Sequence, residues 1–230
     1  MLFLYEFDIA AIFISLILIG FYFQKHQIAS LQNRSFLMYL CNLTFVSSLE
    51  IVLSVIYKND IACPSLVLWF LQVLFLTFTK AFGLIFAVYC IGLSDLLNDR
   101  HYKYHWFINC ITLIPYAFAV IIIWLSPFFC KSYPLAFILD EAGRPEMNIS
   151  GVWYNFLYAL GGFYVLFSIV LVISQKKKMN ATKRIVLYIC SIFAFVAVLI
   201  QLFIPSVAIE SFALALAALI FFFYMQNPEE

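Results

Sequence analysis

Seven apolar blocks run through this chain, at residues 2–23, 36–57, 64–93, 106–125, 152–174, 185–204 and 208–224. Each has about the 20 residues that a helix needs to cross roughly 30 Å of hydrocarbon. In lipid a backbone must satisfy its own hydrogen bonds, so a span of this length is a helix. The pattern predicts an all-α integral membrane fold, a seven-transmembrane-helix bundle forming a single domain over residues 1–230. An odd number of crossings puts the two chain ends on opposite sides. Composition agrees, with 66% hydrophobic and 11% charged residues, against roughly half and a quarter in soluble domains.

The positive charges give a direction. Lys25 and Arg34 fall in the first loop, Arg100 and Lys103 in the third, and Lys176, Lys177, Lys178, Lys183 and Arg184 in or beside the fifth. The even-numbered loops hold only Lys58, Lys131 and Arg144, a tally of nine against three with Lys80 left inside a helix. Lys and Arg near span ends stay in the cytoplasm. The expected topology has the N-terminus outside and the C-terminus cytoplasmic. Glu6 and Asp8, with no basic residue before Lys25, fit an outside start and not a secretory signal. The net charge of +1 gives no reason to expect a nucleic-acid partner, since the cations mark loops.

The fourth loop, about 126–151, is the longest and carries Asp140, Glu141 and Glu146 among turn-forming Pro and Gly residues. It reads equally as a lid over the bundle or as a solvated connector. Cys41, Cys90, Cys110 and Cys190 fall in spans and read as small apolar packing residues. Cys63 and Cys130 both face the outside, where disulfides persist, and form a candidate pair tying the loop to the third helix. Gln24-Lys25 ahead of Arg34 and Gln175-Lys176 ahead of Arg184 hint at two parallel three-helix repeats joined by the fourth span; basic loops alone would give the same hint. The chain stops right after the last span, as either a truncated chain or a receptor whose output module is missing would.

Ionisable groups at membrane depth are costly and face the bundle interior. Glu50, Trp69, Gln72, Gln201 and Glu210 all fall in the outer half of their helices. They are the candidate ligand-binding residues of an outward-facing pocket. Hydrogen bonding between helices is the competing role for the same groups. Lys80 lies about 14 Å deeper than Glu50 by helix rise and is a buried charge without an assigned role. No catalytic motif is present: there is no G-x-S-x-G, H-E-x-x-H, P-loop or G-x-G-x-x-G. His26, His101 and His105 lack metal-ligand spacing, and the seventh span has no Lys to bind retinal. The expectation is no enzyme activity, no metal and no cofactor.

Certain stretches carry a resemblance. Residues 30–36 (SLQNRSF) open the second span ahead of Glu50. Phe137-Ile138-Leu139-Asp140 precedes Gly151 and Tyr154. Gln201-Leu202-Phe203-Ile204-Pro205 closes the sixth span, Glu210-Ser211-Phe212 opens the seventh, and Gln226-Asn227-Pro228-Glu229 ends it. Together they resemble the N-terminal seven-transmembrane sensor region of bacterial receptor proteins, the membrane diguanylate cyclases with GGDEF domains and histidine kinases. The resemblance implies a multi-pass protein of the bacterial plasma (inner) membrane. It implies signal input from a small-molecule or peptide ligand, a homodimer set in membrane lipid, and a cytoplasmic output module that this chain lacks. The alternative is a small membrane transporter or uptake subunit.

Overall fold

The computed structural model describes residues 6–24, 31–59, 61, 63–93, 105–129, 137–139, 145–147, 152–174, 181–203 and 210–226. Each long apolar block becomes a helix: α1 (Glu6–Gln24), α2 (Leu31–Lys58), α3 (Ser65–Leu93), α4 (His105–Phe129), α5 (Val152–Ser174), α6 (Ala181–Phe203) and α7 (Glu210–Phe221). A π-helical turn, Phe222–Gln226, continues α7. Between α4 and α5, strands β1 (Phe137–Leu139) and β2 (Pro145–Met147) pair antiparallel, with Ile138 opposite Glu146. Among the described residues, five helices are long and apolar enough to cross a membrane: Glu6–Gln24, Leu31–Ile56, Leu66–Leu93, Phe107–Leu125 and Asn155–Ser174. That is the make-up of a multi-pass membrane protein.

Polarity runs inside out. Phe13, Leu16 and Ile17 of α1, Leu113, Ile114 and Phe118 of α4, and Leu166 and Val170 of α5 are exposed. Asp8, Ser15, Asn42, Ser47, Gln72, Thr112, Ser168 and Ser211 are buried. Water would favour the reverse arrangement, while lipid favours this one. Many hydroxyls are satisfied within their own helix. Thr44, Thr77, Thr79, Thr112 and Ser191 each donate to the carbonyl four residues back, at 2.7–3.0 Å, which lets a polar residue sit in a span without a second helix.

Cross-helix bonds fix the neighbours. Ser15 and Thr44 share a hydrogen bond of 2.8 Å between α1 and α2. Asn42 Nδ2 donates to the Phe78 carbonyl of α3 at 3.0 Å. Tyr116 of α4 donates to Thr77 at 3.2 Å, and Tyr164 of α5 to Thr112 at 2.7 Å. Phe7 meets Phe212, and Phe21 meets Phe222, with centroids 5.4 and 6.1 Å apart. Those two pairs, one at each end, make α1 and α7 run parallel. The main packing partners follow a closed ring, α1–α2–α3–α5–α6–α7 and back to α1, with α4 outside it against α3 and α5.

Candidate functional site

Five of the six ring helices, α2, α3, α5, α6 and α7, wall a partly open cavity of about 70 Å³. About five water molecules would fit such a space. Its lining is mostly aromatic and aliphatic, from Phe82 and Phe86 on α3 to Val165 on α5. Set into that lining are one basic and one acidic side chain, Lys80 and Glu210.

Helix periodicity places each of them. Thr79, Lys80, Phe82, Gly83 and Phe86 are the α3 positions that face inward. On α7 the lining residues are Glu210, Leu214, Ala217 and Phe221. Their spacing of four, three and four is one face of a helix. Two bonds hold that face in place: Tyr39 Oη donates to the Leu214 carbonyl at 3.0 Å, and Cys190 Sγ approaches the Ala217 carbonyl at 3.8 Å. Lys80 Nζ lies 4.4 Å from the centroid of the Tyr158 ring, a cation–π contact. Lys80 and Glu210 are near enough to act on each other electrostatically. Gly161 lines the same space, and a Cβ there would meet nothing within 4 Å.

Beside the cavity lies a second polar group. Ser211, the residue after Glu210, donates to Glu50 Oε2 at 2.9 Å. Asp8 of α1 is fully buried next to both. It interacts with Glu50 and Ser211, yet neither of its carboxylate oxygens has a hydrogen bond of regular geometry. Three helices, α1, α2 and α7, therefore meet at carboxyl and hydroxyl groups.

The residues expected to share one pocket divide between places. Glu210 lines the cavity, and Lys80 joins it there. Glu50 stands next door, through Ser211. Trp69 packs on Trp124 of α4, centroids 6.3 Å apart and rings nearly perpendicular, with its Nε1 buried and unpartnered. Gln72 is buried in α3; neither it nor Trp69 lines the cavity. Gln201 belongs to α6, but its side chain lies outside the described residues. Cys63 is half-buried beside α3, and Cys130, its candidate partner, lies outside the described residues. Among the described residues no group of three His, Cys, Asp or Glu could hold a metal ion.

Asp8, which in sequence marks only an outside start, is the member of this group that the sequence pattern above did not single out. Its signal was in the sequence. Asp8, Ala11, Ser15, Leu18 and Tyr22 are the buried residues of α1, spaced three, four, three and four, with the small and polar side chains on that stripe. Comparison with protein-family models finds no match, and comparison with curated proteins finds none either.

Proposed function

We propose that this chain is a membrane sensor domain. In this reading all seven helices cross the membrane, with the N-terminus outside and the C-terminus in the cytoplasm of a bacterial inner membrane. A small ligand from outside, or from the membrane, enters the bundle. The last helix passes the change to a cytoplasmic output module, a diguanylate cyclase or histidine kinase working as a dimer. The chain's own part is binding and transmission, not chemistry.

One observation carries the reading: a whole face of α7 forms a wall of the cavity. Whatever fills that space presses on the helix that leads out of the bundle. A ligand transmits only if it binds two packings with different affinity, and α7 is held on the cavity side by just the kind of contacts an occupant can alter. Its π-helical end is a wide turn of the sort found at functional positions.

Gly161 offers a test that needs no ligand. Gly161→Leu should fill part of the cavity from α5. With a diguanylate cyclase fused after Glu230, we expect Gly161→Leu and Glu210→Gln to change cyclic-di-GMP production at least threefold in either direction. Unchanged turnover in both, at equal expression, would sink the sensor reading.

The ring supports a second reading, transport. Moving three places around it takes α1, α2 and α3 onto α5, α6 and α7, with α4 as the linker. This is the arrangement of parallel repeats around a central site seen in some transporters. Accumulation of a solute inside proteoliposomes by the isolated chain, lost in Gly161→Leu, would favour transport over sensing.

A further inference from the structure

Lys80 and Glu210 stand on different helices and open onto the same cavity. They do not form an ion pair: no N···O distance of 4.0 Å or less joins them, and neither makes a hydrogen bond with any described residue. The Tyr158 ring covers the Lys80 ammonium from one side, which leaves its N–H donors unspent. The Glu210 carboxyl keeps its oxygen acceptors. The two opposite charges feel each other across the cavity without touching, so hydrogen-bonding capacity of both signs faces one space. Phe82, Phe86 and Leu214 line the same space and give it apolar surface against which a short hydrocarbon body can pack.

From this geometry we infer that the cavity binds a small zwitterion, a molecule with an anionic group for Lys80 and an ammonium group for Glu210 on a short carbon chain. The amino acids are the obvious class. The inference rests on the sensor reading only in taking the cavity as the ligand site. A monocarboxylate would satisfy Lys80 and leave Glu210 unpaired. An alkylamine would do the opposite. A single-ended ligand that displaces water from the cavity leaves one of the two charges unpaired, so the two-ended ligand should bind more tightly.

The full chain in lipid nanodiscs can decide this by isothermal titration with glycine, β-alanine and γ-aminobutyrate, beside butyrate and butylamine. At least one amino acid should bind, at least tenfold more tightly than either single-ended compound. Lys80→Met and Glu210→Gln should each weaken that binding tenfold or more. Gly161→Leu, which leaves both charges in place, should abolish it while the unliganded melting curve stays intact. Should charge variants lose the fold, Gly161→Leu still reports on the site. Equal binding of butyrate or butylamine overturns the zwitterion class but leaves the cavity as the ligand site. Binding that survives Gly161→Leu overturns the placement. If no amino acid binds, the zwitterion class is wrong, and the cyclase chimera still judges the sensor reading independently.

Discussion

Gly83 has no room for a side chain. A Cβ there would come within 2.8 Å of Tyr164 Cδ2 and 2.9 Å of Tyr164 Cβ, and Tyr164 is fully buried with its hydroxyl committed to Thr112. We expect Gly83→Ala to cost about 2 kcal/mol, as overpacking a close-fitted core does, and Gly161→Ala to cost almost nothing. Thermal unfolding in matched detergent compares the two; equal midpoints would mean that α3 and α5 are not this close. Asp8 gives a prediction of the opposite sign. Its carboxyl sits beside the Glu50 carboxyl with no hydrogen bond of regular geometry. Two carboxyl groups side by side in a buried site ionise together only at a cost, so Asp8→Asn, which removes one of them, should raise stability by about 1 kcal/mol. A loss of stability would show that Asp8 has a partner the bundle alone does not supply. Neither residue's setting was legible from its own identity. A glycine in a span has many uses. An acid at the start of a span reads as a flank until the periodicity behind it is counted.

Element boundaries were the most legible feature, because each apolar run ends where charged and turn-forming residues begin. The fifth block, 152–174, coincides with α5, and the others shift by a few residues at their ends. The neighbour relations were not legible. Greasy faces look alike in sequence, and what joins helices here is a handful of hydroxyl, amide and aromatic contacts that no periodicity announces. Depth along a helix can be counted in sequence and azimuth is harder to read: Trp69, Gln72 and Lys80 all occupy α3, and of these three Lys80 lines the cavity. The parallel run of α1 and α7 is directly testable. Cysteines placed at Phe7 and Phe212, or at Phe21 and Phe222, should cross-link with a short bismaleimide. Cysteines at Phe7 and Phe222 should not, since ten residues of α7 separate 212 from 222, about 15 Å. A 7–222 product in place of 7–212 would reverse the helix.

At the scale of the whole molecule, the described helices present apolar side chains outward and bury Asp8 with a set of hydroxyls and amides, so their faces give no preferred direction across a membrane. Only the loop charges break that symmetry. Nine cations against three favour the first, third and fifth loops facing the cytoplasm. Five of the nine cluster around the fifth loop, so that loop should dominate. Alkaline phosphatase fused after Glu230 should therefore be inactive in cells, and green fluorescent protein at the same place should fluoresce. Changing Lys176, Lys177, Lys178, Lys183 and Arg184 to Gln leaves four cations against three, near balance. A mixed population of fusions, partly active phosphatase and partly fluorescent, is then the expected result. Unmixed orientation in that variant would mean that α-helix packing, and not loop charge, decides the direction. It would also remove the reason for placing the cavity's sensing side outside and the end of α7 within the cell.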